Sequence, residues 1–263
     1  MAITNLDGLI AANNQFLSFN KASMTSKAAG YFQSLWTAAG LPTAGAAPGS
    51  VAGNAPSSGT IGALKFVNPN GGALTYLTKT SSAMQTAGTL ILYDRLVHTS
   101  ALSGILATAQ TVNSAALTRS TSGEGVQLFL EWYTATGATV VTVTCSYTNS
   151  DGVAGRTSIA TTVVASPVAG MMLPLPLQAG DDGVRSVQTV TLSATTGGAG
   201  NFGITLVKRI AEMPISIAGA GLVLDPFALG MPKIDDNACL ALMEFVSTAS
   251  TGFITGTINL AQG

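Results

Sequence analysis

From residue 61 onward the apolar positions of this chain recur mostly every second residue, the period of a strand with one covered face. In Val126–Tyr133 the residues Val126, Leu128, Leu130 and Trp132 share a face. In the next run Val141, Val143, Cys145 and Tyr147 point inward, and Thr142, Thr144, Ser146 and Thr148 point outward. With Thr136-Gly137-Ala138 and Asn149–Gly152 as turns, these runs and Arg156–Val164 predict a β-meander. Ser186–Ala194 and Phe202–Ile210 flank a glycine-rich loop, and Ala238–Val246 and Phe253–Leu260 form a last pair. Leu240 and Leu242 oppose Met243 and Phe245 across their strand, so it is covered on both sides. Adding Leu64–Val67, Leu74–Thr78 and Thr89–Val97 predicts about ten strands, mainly antiparallel, in a β-sandwich or jelly roll.

Residues 1–40 follow a different rhythm. Met24, Ala28, Tyr31, Phe32, Leu35 and Trp36 fall at three- and four-residue spacing, which predicts a helix capped at Thr25 or Ser26 and closed by Gly40 and Pro42. Leu6–Ile10 and Phe16–Phe19 supply shorter apolar pieces before it. Residues 41–60 are almost wholly Gly, Ala, Pro, Ser and Thr, a composition that predicts a flexible linker. The expected organisation is therefore a helical arm over 1–40, a linker over 41–60 and a β-sandwich domain over 61–263. An arm with Phe16, Phe19, Tyr31, Phe32 and Trp36 must bury them somewhere, and a spacer lets it do so on a neighbouring subunit. These five are the candidate intersubunit contacts. The competing expectation is that the helix covers an edge of its own sheet.

Composition narrows the function. Only 9% of the residues are charged, against roughly a quarter in an average soluble domain. Such a surface favours association, so a homo-oligomer is expected. Net charge is −1 and the only adjacent basic pair is Lys208-Arg209, which leaves nucleic acid without a basic stripe. No apolar run approaches the ~18 residues of a membrane helix, and the opening Met-Ala-Ile-Thr-Asn-Leu-Asp does not read as a secretory signal. Cys145 and Cys239 sit on apolar strand positions, as buried free thiols do.

Candidate chemistry is sparse. His98 is the single histidine, no Gly-x-Ser-x-Gly elbow accompanies it, and one His with two distant Cys cannot make a zinc site. Asp94 and Arg95 read as a strand-end pair, a buried ion pair or an interface contact. Gly198-Ala-Gly-Asn-Phe-Gly203 matches the dinucleotide string but leads into a strand, so it reads as a hairpin loop. Asp181-Asp182 and Asp235-Asp236 are turn chemistry, with a structural ion as the alternative at either. No catalytic, cofactor-binding or metal-ligating residue is expected, and no cofactor.

The stretches Ala87–His98, Phe129–Gly137 and Cys145–Arg156, together with the opening Thr4–Ile10, resemble a group of tailed-bacteriophage virion structural proteins. The resemblance spans most of the chain and carries no catalytic residue. It implies a virion component made in the host bacterial cytoplasm, with the major capsid protein or neighbouring virion subunits as partners. A capsid decoration or cement protein, trimeric by expectation, is the reading it favours, with a tail, collar or connector component as the alternative. A carbohydrate- or receptor-binding β-module, built on Trp132, Tyr133 and Tyr147, is the reading from another class. There, alternation leaves only Tyr133 facing outward. A hydrolase would require an acid–base pair that the chain does not offer.

Overall fold

The computed structural model describes residues 3, 5–25, 27–49 and 51–263. The chain opens with helix α1 (Leu6–Ala11) and strands β1 (Asn13–Ala22), β2 (Phe32–Ser34), β3 (Gly40–Leu41), β4 (Thr75–Met84) and β5 (Gly88–His98). It continues through β6 (Gln110–Thr111), β7 (Gln127–Thr134), β8 (Val141–Asn149), β9 (Arg156–Thr157), β10 (Thr161–Val163), β11 (Met171–Pro174) and β12 (Val184–Leu192). It ends with β13 (Asn201–Ile215), β14 (Gly221–Leu224), helix α2 (Pro226–Leu229), β15 (Lys233–Ile234), β16 (Leu240–Val246) and β17 (Phe253–Gln262). The fold is mainly β, and every strand pairing among the described residues is antiparallel. No described helix is long and apolar enough to cross a membrane.

Three layers result. A closed barrel of β11-β2-β16-β5-β13-β7 stands between a six-stranded sheet, β14-β4-β17-β1-β3 with β15 beside β4, and a five-stranded sheet, β10-β8-β12-β6 with β9 beside β8. The period of two sorts the barrel's side chains. Leu90, Leu92, Leu240 and Leu242 pack outward with Phe19, Leu77 and Ile258 of the six-stranded sheet. Leu128, Leu130, Trp132, Ile204 and Leu206 pack outward with Val143, Tyr147 and Val187 of the five-stranded sheet. The alternate residues Ile91, Tyr93, Phe129, Val207 and Met243 fill the barrel. These strands are covered on both faces because they form the middle layer.

The expected hairpins are mostly arches between layers. The strands β7 and β8, expected as neighbours, lie in different sheets, as do β12 and β13, and β16 and β17. Of the meander only β8 with β9 and β10 remains. Alternation specifies which face of a strand is buried but not which strand it pairs with. The glycine-rich loop leads into β13 without a helix, and Gly203 is required there because a Cβ would stand 2.1 Å from the Thr99 carbonyl oxygen.

The N-terminal forty residues are where expectation and structure part. Helix is confined to Leu6–Ala11, capped by Asn5, whose side chain accepts from Gly8 N at 2.8 Å. Residues 13–22 form a full strand paired along its length with β17. Among the described residues of Met24–Trp36 there is no helix; Thr25 lies in a turn and Ser26 lies outside the described residues. Gly30 takes φ +82°, and β2 then closes the barrel between β11 and β16. As in a strand, Leu35 and Trp36 reach different clusters. Ladder bonds on two sides outweigh a helical spacing that isolated residues can mimic. The expected linker is also laid against the barrel: Trp36 Nε1 donates to Ala46 O at 2.9 Å, and Asn54 and His98 exchange backbone bonds at 3.0 Å.

Candidate functional site

The densest polar chemistry lies inside the barrel. Arg95 follows Ile91 and Tyr93 on the inward face of β5, and Glu131 and Tyr133 follow Phe129 on that of β7. Arg95 Nη2 donates to Glu131 Oε2 at 2.5 Å and to Tyr133 Oη at 2.9 Å. Its Nη1 reaches Tyr93 Oη at 3.3 Å, and its Nε donates to His98 Nδ1 at 2.9 Å. Thr205 on β13 donates its hydroxyl to the same Glu131 oxygen at 2.6 Å. The indole of Trp36 lies 4.7 Å from the guanidinium and edge-on to His98. One cation thus fills its donors with a carboxylate, two phenols and an imidazole.

Burial and the guanidinium set the protonation states. Desolvation, then the Arg95 charge, pushes the His98 pKa down to about 2, so the imidazole is neutral and accepts at Nδ1. Desolvation raises Tyr93 to about 12 and raises Tyr133 as well, with the Glu131 charge adding to the latter. The assembly resembles an acid–base site in its residue types but not in its access: Arg95 and Glu131 are 0% and 1% exposed. Two open clefts, of about 400 and 500 Å³, are lined by other residues. A general base must reach a substrate proton through at most one water, and this one is sealed.

Two further buried ion pairs brace neighbouring elements. Asp94 points away from Arg95 and takes a two-pronged contact from Arg119, with both bonds at 2.9 Å. Arg119 also donates to Pro56 O at 2.9 Å, tying down the segment expected as a free linker. The expected Asp94–Arg95 pair is therefore two separate pairs on opposite faces of one strand. Lys27 meets Glu244 at 3.0 Å, and desolvation raises the Glu244 pKa against the opposing pull of Lys27. Lys21 is 2% exposed, and the one hydrogen bond of its ammonium among the described residues is to Ala38 O at 3.0 Å. Burial lowers its pKa to about 8.

The other candidates resolve individually. Asp181 accepts from Arg156, Tyr147 and Asn149, which holds it near pKa 2, with the Arg156 hydrogen bond the largest cause. Its oxygens are thus engaged by side chains of its own chain. Asp235 stands 4.0 Å from Lys233 in an exposed pair. Cys145 and Cys239 are free, buried and in different clusters. Trp132 is 2% exposed and stacks on Phe202 at 5.8 Å, Tyr147 is buried, and Tyr133 turns its hydroxyl into the barrel instead of outward. No sugar-stacking platform comes from these three.

Of the five aromatic residues expected at an interface, Phe19 and Trp36 are core at 1% and 2% exposure. Tyr31 and Phe32 are half-buried against their own clusters. Phe16 alone is open, at 70% exposure. Glu131, Arg119 and the Lys27–Glu244 pair carry most of the buried polar chemistry and were not among the candidates. The signal for Glu131 was present: a carboxylate between Phe129-Leu130 and Trp132-Tyr133 has no exposed face to occupy.

No family model and no curated protein matches this chain. Among solved structures, the chain is weakly similar to the VP2 subviral particle of infectious bursal disease virus, at 10% identity over 99% of this chain and 83% of that one, with a TM-score of 0.20. The T13 particle of the same virus gives 10% identity over 95% and 77%, with a TM-score of 0.21. At these scores the likeness carries no weight beyond itself.

Proposed function

We propose that this protein is a structural virion subunit of a tailed bacteriophage, a decoration or cement protein that binds the assembled head, and that it performs no catalysis. One observation carries the proposal: of an already small complement of charged residues, nearly a third is turned inward. Seven of its 23 charged residues are buried (Lys21, Lys27, Asp94, Arg95, Arg119, Glu131 and Glu244). The surface is left with little charge and with exposed Phe16, Ile61, Val67, Ile217 and Phe227. A free monomer ordinarily keeps the opposite arrangement, because charge holds proteins apart and exposed apolar groups draw them together. A three-layer β body with such a surface suits a molecule whose partners are other protein subunits, the major capsid protein first among them. Stabilisation then follows by mass action, since a ligand of the assembled lattice that ignores its dissociated parts favours assembly.

The test is to add the purified protein to heads that lack it. Saturable binding, with a higher temperature of head disruption, is expected. Absence of binding to heads, with binding to tails or collars, would reassign it to the second structural class, which copy number and ring symmetry also identify. Turnover of a glycan or peptide substrate would overturn the non-catalytic part of the proposal.

A further inference from the structure

The longest open edge of the six-stranded sheet is the N-terminal part of β1, and its hydrogen-bonding direction follows from its neighbours. Ser23 N donates to Gly252 O at 2.8 Å on the β17 side, whereas Ala22 N donates to Ala39 O at 3.0 Å on the β3 side. Backbone groups alternate sides along a strand, so the odd-numbered residues of β1 face β17 and the even-numbered ones face the other way. The β3 strand covers only Asn20 and Lys21 on that side. Asn14, Phe16 and Ser18 therefore aim their N–H and C=O groups at a side where no strand of this chain lies among the described residues.

Monomers blunt such edges with lysine, proline, a bulge or brevity. The run Asn13-Asn-Gln-Phe-Leu-Ser-Phe19 has none of the first three and is seven residues long. Lys21 is turned into the core, and neither β1 before it nor the adjacent β17 carries a charged residue. The open stretch is bounded by α1 at one end and β3 at the other, and its midpoint is Phe16. That symmetry selects the occupant. An antiparallel strand of the same sequence centred on Phe16 fills the gap without overhang, placing Phe16 opposite itself and Asn14 opposite Ser18. All three are hydrogen-bonded pairs, because these are the residues whose backbone groups face the edge. The two Phe16 side chains then share the outer face of the sheet, where the side chain is 70% exposed in the single chain.

We propose that β1 pairs antiparallel with β1 of a second copy about a two-fold axis at Phe16, joining two six-stranded sheets into one continuous sheet. Such a contact is isologous and closed. It does not depend on the phage assignment, and in a trimeric assembly it would link one trimer to the next.

Sedimentation of the full chain, Ser18→Pro and Phe16→Lys tests it. The wild-type protein is expected to form dimers or even multiples. Ser18→Pro removes an N–H that has no partner in the monomer, and Phe16→Lys sets like charges opposite one another; each is expected to weaken association roughly tenfold or more with an unchanged circular dichroism spectrum. Phe16→Cys provides a readout that does not need the proline variant to fold. Paired Cα atoms about 5.5 Å apart suit a disulfide, so mild oxidation is expected to yield a covalent dimer, and Val223→Cys, on the opposite edge strand, is not. A wild-type monomer at high concentration, undiminished association in both edge variants, or equal cross-linking of the two cysteine variants overturns the proposal. A dimer that binds no head leaves the contact standing and overturns the decoration role; a monomer that binds heads does the reverse.

Discussion

His98 accepts a hydrogen bond at Nδ1 from Arg95 Nε at 2.9 Å, so the chain's single histidine is held neutral beside a permanent cation. Its folded pKa of about 2 lies below the ordinary 6.5. The folded protein therefore binds fewer protons than the unfolded chain across that interval, and stability falls as pH drops below 6.5. Glu244, with its pKa raised by burial, acts with the opposite sign at the upper end of the carboxylate range. Asp181 adds a loss only below 3.8. In His98→Gln the amide oxygen still accepts from Arg95 but does not titrate. Urea unfolding between about pH 7 and about pH 4.5 should show a declining midpoint for the wild type and a flat or rising one for the variant.

Removing one partner of the barrel's ion pair should cost far more than removing both. Glu131→Leu strands a buried guanidinium and is expected to lose about 3–5 kcal/mol. Arg95→Leu with Glu131→Leu should cost less than Glu131→Leu alone. A double-mutant cycle from chemical unfolding checks this.

Lys21 contributes a penalty that alkali relieves. Its folded pKa of about 8 lies below 10.5, so the penalty is constant below pH 8 and shrinks as the pH rises from there towards 10.5. Lys21→Met should be more stable than the wild type at neutral pH and should lack the alkaline rise. Thermal unfolding across that interval measures both.

Trp132 stacks on Phe202, and its indole nitrogen is buried with no hydrogen-bond partner among the described residues. Trp132→Ala is expected to lose about 3–5 kcal/mol. Trp132→Phe keeps much of the packing and gives up no hydrogen bond, so it should cost markedly less by the same unfolding assay.

Truncation separates the N-terminal elements. Deleting residues 1–12 removes α1, which buries only Gly8, and should leave the fold intact. Deleting residues 1–40 removes β1, β2, Lys27 and Trp36, opens the barrel and should abolish cooperative unfolding. Circular dichroism melts of the two truncations decide the matter.

The local pattern along the chain determined its class and the buried faces of its strands. Val126, Leu128, Leu130 and Trp132 do share a face, and Leu240 and Leu242 do oppose Met243, because alternation follows from backbone geometry alone. Low charge, likewise, is a property of composition. What only the tertiary structure decided is which strands meet and where charge resides. The turns after β7, β12 and β16 carry the chain between layers and not into hairpins, since a loop's residues do not encode the layer that receives the next strand. The spacing of Met24–Trp36 fits a helix locally, yet the barrel needs β2 between β11 and β16, and ladder bonds to distant strands outweigh local preference. Arg95, Glu131, Tyr133 and Thr205 lie on three strands far apart in sequence. Their common site exists only because the barrel closes, and that closure seals it from water.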